Sequence, residues 1–344
     1  MQVCKHNLSR YKIKLSSVKT MAYTLRQLTY AVAVADSGSI TEASARLGIS
    51  QPAISAALKE LEAEFGISIF LRQPAHRIAL SPAGQRFINR ARRLLDESHE
   101  FENDALGLSR EVQGPLDVGC FLPTAPFILP LIIEYMAEHH PGMDIRIHEG
   151  DLDEINQWLT TGEIEAALTY DMRPHPGVQF ESLIEAPVHA VLPDDDPLAK
   201  RQSISLYDLV NRDMVAFDLP ITPQFFRGLF LSLGIEPRIA YYVKSFEMVR
   251  SLVGAGLGFS LLVMRPHSET SYSGGKLTYV PLSDDLPHPH YGMAFMANAV
   301  PRRLFQVFAE GCRHVLKEEG RAESYFVRDP SAKRRKVTKP EGSR

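Results

Sequence analysis

At 344 residues the chain is too long for one small domain and comfortable for two. Its 44% hydrophobic and 23% charged residues are the proportions of an ordinary soluble globular protein. A net charge of -3 excludes a uniformly basic nucleic-acid coat, so local charge distribution must decide whether any surface binds nucleic acid.

The cysteines Cys4, Cys120 and Cys312 are odd in number and form no CxxC pair, so neither a zinc knuckle nor a disulfide framework is indicated. Such usage suits a reduced cytoplasm. Cys120 ends an apolar run, where a thiol is ordinarily a small buried hydrophobe. No apolar stretch approaches the ~20 residues needed to cross a bilayer, so no membrane association is expected. Residues 1–20 are basic, lack an apolar core and do not read as a secretory signal. Met21 precedes the first patterned segment and is the expected translation start, which makes residues 1–20 a disordered leader or a mis-called start.

The pattern becomes informative from Thr24. Leu25, Leu28, Val32 and Ala35 repeat at helical spacing, and Gly38 ends that helix. Ser39 and Glu42 stand at capping-box spacing before a short helix, Ala43 to Leu47. Gly48 then supplies a turn and Ser50 a cap. A further helix runs from Gln51 to Phe65, with Pro52 tolerated in its first turn. Ile54, Leu58, Leu61 and Phe65 form one stripe to be buried, and Gln51, Ala53, Ser55, Ala56 and Lys59 lie away from it. Two short helices joined by a glycine turn, the second offering small polar residues at its start, describe a helix-turn-helix.

Between Gly66 and Arg93 there is no acidic residue, whereas Arg72, Arg77, Arg86, Arg90, Arg92 and Arg93 all fall there. Ile67, Ile69 and Leu71 alternate as a strand, and Ile78 and Leu80 resume after a turn at 74–76. The expected β-hairpin is a wing whose Arg72 and Arg77 would contact phosphates. Residues 21–82 are therefore expected to be a mainly α, winged helix-turn-helix domain.

The segments Ile49-Ser50-Gln51-Pro52-Ala53-Ile54-Ser55, Leu61-Glu62, Phe65-Gly66, Phe70-Leu71-Arg72 and Leu80-Ser81-Pro82-Ala83-Gly84 resemble the N-terminal pattern of LysR-type transcriptional regulators. The resemblance implies that Gln51, Pro52 and Ser55 meet base edges or groove backbone, with Thr41 and Arg72 on phosphates. Ser50, Lys59 and Arg77 complete the expected DNA-facing set. Ala56 departs from the arginine that many members carry there. Residues 83–110 read as one long helix with apolar points at Phe87, Ile88, Ala91, Leu94, Leu95, Phe101 and Leu106, which the family uses as a linker for dimerisation. Twofold pairing implies a roughly palindromic operator.

Gly114-Pro115 opens a second domain, expected over residues 114–318. Strands at 116–121, 143–148 and 166–170 alternate with helices at 126–139 and 152–161, an open α/β half. A second series follows: strands at 214–217, 238–243 and 259–263 with helices at 223–233 and 245–254. Strands at 277–282 and 290–296 are expected to return to the first half, before a last helix from Pro301 to about Lys317. Two α/β halves leave a cleft at the strand C-terminal ends. This pattern resembles the LysR-type effector domain, itself similar to periplasmic binding proteins. The expected effector-binding residues are Phe121, Thr124, Gly150, Tyr170, Asp171, Asp218, Thr222 and Phe246, with Thr124 and Thr222 favoured as hydrogen-bonding positions. The start of the helix after Thr124 should favour an anion, and an organic acid is the effector class the family suggests.

Other signals lead elsewhere. Gly254-Ala255-Gly256-Leu257-Gly258 follows a helix and precedes a strand, the reverse of a dinucleotide loop, and reads as a packing turn. His139-His140 and His288 with His290 lack further ligands at metal spacing. Asp194-Asp195-Asp196 reads as a solvated turn. No nucleophile elbow occurs, so no catalysis and no cofactor are expected. Residues 319–344 form a basic tail, expected to be disordered. The reading is a cytoplasmic, bacterial, effector-responsive regulator whose partners are double-stranded operator DNA, a small molecule, further copies of itself as a homodimer or homotetramer, and RNA polymerase. The alternative, a transport-type solute-binding protein, leaves the winged head unexplained.

Overall fold

The computed structural model describes residues 23–72, 78–105, 112–297 and 302–326. The chain divides into two compact units between Leu95 and Asp96, each with its own apolar core. Among the described residues no helix is long and apolar enough to cross a membrane. The expectations for residues 1–20, Arg77 and Leu106 lie outside the described residues.

The first unit runs α1 (Leu25–Ser37), α2 (Ile40–Leu47), α3 (Gln51–Phe65), β1 (Phe70–Arg72), β2 (Ile78–Leu80) and the start of α4 (Pro82–Ala105). Thr24 and Gln27 close a full capping box on α1. The box expected at α2 is half made: Ser39 Oγ accepts from the Glu42 amide at 3.4 Å. Ser50 precedes α3 but its side chain makes no cap bond; only its carbonyl is used, by the amides of Ala53 and Ile54. The first three helices each end on a left-handed glycine, Gly38, Gly48 and Gly66.

The apolar stripe expected for α1 is rotated. Leu28, Tyr30, Ala31, Ala33 and Val34 are buried, while Leu25 is exposed and Val32 and Ala35 are half-buried. Because α1 packs against both α2 and α3, its buried arc is wider than a single stripe. In α3, Ile54, Leu58 and Leu61 are buried as expected, but Phe65 is 42% exposed. It closes the helix and lies between the rings of Tyr23 at 5.3 Å and Phe87 at 5.0 Å.

Two segments of the N-terminal pattern act within the fold. Glu62 accepts from the amides of Ile69 at 2.7 Å and Phe70 at 3.1 Å, fixing the entry into β1. Ser81 Oγ donates to the Ser68 carbonyl and accepts from the Gly84 amide at 2.8 Å, so it joins the wing to the first turn of α4. A Cβ at Gly84 would lie 1.9 Å from the Ile69 carbonyl oxygen, so the backbones touch only because the residue is glycine. β1 and β2 pair antiparallel, with Phe70 opposite Leu80 and Arg72 opposite Ile78.

The second unit contains one five-stranded sheet and two smaller ones. The first has the order β4 (Met143–Gly150), β3 (Gly114–Phe121), β5 (Ala166–Tyr170), β12 (His290–Met296), β6 (Val178–Glu185). β3 runs parallel to β4 and β5, and β12 lies antiparallel between β5 and β6. Helices α5 (Ala125–His139), α6 (Leu152–Thr161) and α9 (Arg303–Arg313) accompany it. In the other half, β8 (Asp213–Phe217) pairs parallel with β9 (Arg238–Val243), and β7 (His189–Pro193) lies between β10 (Ser260–Leu262) and β11 (Leu277–Pro281). A parallel bridge between Met214 and Phe259 joins these two small sheets. Helices α7 (Thr222–Ser232) and α8 (Phe246–Gly254) complete this half.

Three expectations are corrected here. β6 and β7 were not anticipated. β11 does not return to the first half, because it pairs with β7; only β12 returns. The chain therefore crosses once after β6 and once before β12, and the Ala186 amide donates to the Pro289 carbonyl at 2.9 Å to tie the two crossings together. Asp194 and Asp196 are engaged rather than merely solvated. Asp194 accepts from Thr278 Oγ1 at 2.8 Å, and Asp196 caps the short helix Pro197–Lys200 and pairs with Arg212.

Candidate functional site

The exposed side of the helix-turn-helix offers Thr41 from α2, with Gln51, Pro52, Ala53, Ala56 and Lys59 from α3; Ser50 is exposed at the turn and Ser55 is half-buried. Ala43, Ile54, Ala57 and Leu58 hold the opposite sides of these helices in the core, so the polar face is fixed by packing. Arg72 ends β1. The arginines of the acid-free stretch are not equivalent. Arg86 and Arg90 are exposed, but Arg92 reaches Asp36 of α1 at 2.6 Å and serves the fold.

A cavity that opens to solvent lies in the second unit; about 360 Å³ of empty space, the solvent at its mouth included, separates its walls. Phe121, Pro123, Thr124, Tyr170 and Met172 line it from the ends of β3 and β5 and the start of α5. Phe217, Thr222, Phe226, Phe246, Leu262, Val263 and Met264 line it from the other half. The walls are aromatic and aliphatic, with hydroxyls at Thr124, Tyr170 and Thr222.

These hydroxyls differ in what they touch. Thr124 Oγ1 donates to the Phe121 carbonyl at 2.8 Å and lies 3.1 Å from Tyr291 OH. Tyr170 OH and Thr222 Oγ1 are buried and have no hydrogen-bond partner among the described residues. Burial holds the Tyr170 and Tyr291 phenols well above their ordinary range, so both stay protonated. Burial also pushes the Cys120 thiol, beside Thr124 and Tyr291, up to about 12. Cys120 is thus the small buried hydrophobe expected, without thiolate character at neutral pH.

Each helix start at the cavity has lost one amide to proline and spent others within the chain. Pro126 has no N–H, and the Phe127 amide donates to the Thr124 carbonyl. In α7 Pro223 likewise lacks an N–H, while the amides of Thr222 and Phe225 donate to the carbonyls of Leu219 and Ile221. Ile221 carries a φ of 73°, a left-handed conformation unusual for a β-branched residue, and it turns the chain into α7.

The C-terminal segment closes one side of this region. After α9 the chain turns back, Ala322 and Phe326 are fully buried, and Phe326 stacks on Tyr291 at 5.1 Å. Tyr325 contacts Phe127 of one half and His267 of the other, at 5.5 and 4.3 Å between centroids. Residues 319–326 are therefore ordered, which corrects the expectation that disorder begins at 319. Their aromatic side chains belong to the core of the second unit.

Comparison with known proteins decides the family. The model of the bacterial regulatory helix-turn-helix protein, lysR family, matches residues 25–85, and that of the LysR substrate binding domain matches residues 109–317. The chain belongs to the LysR family. Among solved structures it is similar to HinK, a LysR family transcriptional regulator from Pseudomonas aeruginosa. The identity is 38%, 86% of this chain and 99% of that one are covered, and the TM-score is 0.59. A full-length OxyR variant from the same organism shares 26% identity over 84% of this chain and 97% of that one, with a TM-score of 0.65. The uncharacterized regulator YvbU of Bacillus subtilis is 28% identical over 251 residues, 73% of this chain and 83% of that protein. The chain is accordingly a LysR-type transcriptional regulator with a DNA-binding helix-turn-helix and an effector-binding domain.

Within this LysR protein the cavity gathers five of the eight expected effector residues: Phe121, Thr124, Tyr170, Thr222 and Phe246. The other three lie elsewhere. Gly150 makes room for Trp158, whose ring would sit 2.3 Å from an added Cβ. The Asp171 carboxylate holds the amide and ring of His290, at 2.8 and 3.1 Å, where the chain enters β12. Asp218 donates its amide to the Val243 carbonyl and is outside the lining. Sequence reasoning missed Pro123, Met172, Phe217, Phe226, Leu262, Val263 and Met264. The rule that ligands meet the ends of parallel strands could have named Phe217, the last residue of β8. Among the described residues no group of three or more His, Cys, Asp or Glu side chains is placed to hold a metal.

Proposed function

We propose that this regulator works in the bacterial cytoplasm as a homo-oligomer that reads operator DNA through α3 and changes oligomer geometry when its cavity is occupied. The observation that carries the reading is a single one. The same chain presents an exposed polar helix-turn-helix face and a cavity whose lining residues carry two unpartnered hydroxyls. Gln51, Pro52 and Ser55 would approach base edges, with Ser50 and Lys59 beside them and Thr41, Arg72 and Arg77 on phosphates. The 71% exposure of Phe101 on α4 supports the use of that helix in pairing. Effector can shift geometry only through different affinities for two quaternary states.

Fluorescence anisotropy on DNA from the gene's own upstream region, against scrambled DNA at two salt concentrations, tests the reading. A preference that survives higher salt is expected. Equal, salt-sensitive binding to both DNAs would overturn it.

A further inference from the structure

We propose that the cavity selects an uncharged, largely apolar small molecule whose polar group hydrogen-bonds Tyr170 OH and Thr222 Oγ1, in place of the organic acid that the family suggests. The proposal rests on the reading that the cavity is the effector site. Two independent observations carry it.

The first is the absence of anything to balance charge. Among the described residues the lining holds no Lys, Arg, His, Asp or Glu. An ionised carboxylate entering apolar walls loses its hydration and needs a cation or several amides in exchange. The two helix starts at the cavity offer fewer amides than usual, since Pro126 and Pro223 remove one each and those of Phe127, Thr222 and Phe225 are spent within the chain. Asp171, the nearest acidic candidate in sequence to Tyr170, is turned to His290.

The second observation is that two lining residues carry unpartnered hydroxyls. Thr222 and Tyr170 are each 4% exposed, and each hydroxyl lacks a partner in the fold. A buried hydroxyl without a hydrogen bond is costly, so a ligand that supplies one is favoured over a purely apolar molecule. Thr124, already bound to the Phe121 carbonyl and Tyr291, has little left to offer. Both hydroxyls can donate or accept, so a neutral carbonyl, hydroxyl or amide satisfies either.

Isothermal titration of the full chain near neutral pH tests this with two isosteric pairs, benzamide against benzoate and hexanamide against hexanoate. Each amide should bind roughly tenfold or more tighter than its carboxylate. Thr222→Val and Tyr170→Phe should each weaken amide binding about fivefold without lowering the melting temperature. A carboxylate binding as well as its amide would overturn the proposal. So would the absence of amide binding in a preparation that still discriminates its operator, which leaves the regulator reading intact. Amide binding unmoved by both variants would overturn the assignment of the hydroxyls. Loss of operator discrimination in the unaltered chain would instead overturn the reading beneath.

Discussion

The two ends of this molecule build their sites in opposite ways. The proposed DNA-reading face is local and outward: one helix, fifteen residues long, carries most of it. The proposed effector cavity is assembled, with Phe121 and Met264 at its extremes of the sequence and both halves of the second unit contributing walls. A local site depends on the fold only for orientation. An assembled site depends on it for existence. Substitutions at the first should therefore change binding without touching stability, whereas at the second the two effects separate only where a side chain lacks fold partners.

Four experiments can break that contrast. The largest effect is expected at Gly84, which belongs to the LysR sequence pattern yet serves packing. Gly84→Ala forces the Ile69 carbonyl aside and should cost about 3 kcal/mol in urea unfolding of the first unit. Unchanged stability with lost DNA binding would make Gly84 a contact residue instead. Next comes Gln51→Ala, exposed at the start of α3, which should weaken operator binding by about 2 kcal/mol and leave melting unaltered. A lowered melting temperature would remove the distinction between the two ends.

A smaller effect separates the two threonines of the cavity. Thr124→Val leaves the Tyr291 phenol without its threonine partner and should destabilise by about 1 kcal/mol, whereas Thr222→Val removes an unpartnered hydroxyl and should be neutral or slightly stabilising. Equal losses in thermal melts would contradict the assignment. The smallest effect is expected at Glu181, bound through both oxygens to Arg313 at 2.7 and 2.9 Å, which joins α9 to β6. The Arg313 hydrogen bonds hold its carboxyl below the usual 4.5. A depressed pKa gives stability that is present above the unfolded value and lost as pH falls through the folded one. Glu181→Gln should cost less than about 1 kcal/mol at neutral pH, since the pair is partly exposed. The difference should begin to shrink as the pH falls below about 4.5 and vanish only once it passes below the lowered folded value; a difference that persisted in stronger acid would point to packing instead.

Much of the head was legible because its information is short-range. Glycines stop α1, α2 and α3 where the pattern places them, and Ile54, Leu58 and Leu61 fall on one face by spacing alone. Phe65 escaped because a terminal residue can leave the stripe once neighbouring rings flank it. Ser50 escaped because a good capping residue need not use its side chain. In the second unit strand ends could be located, so Phe121, Tyr170 and Thr222 were found. The partners of each side chain could not: Asp171 has a carboxylate's appearance in sequence but a structural task beside His290.

Sequence by itself determined the family pattern, the helix-turn-helix and the alternation of strands and helices, since capping, glycine turns and apolar periodicity act within a few residues. Tertiary structure decided which hydroxyls are spent, that β11 stays with β7, and that Phe326 turns back into the aromatic core. These depend on contacts between segments far apart in the chain, such as Thr124 with Tyr291, for which local propensity carries no information.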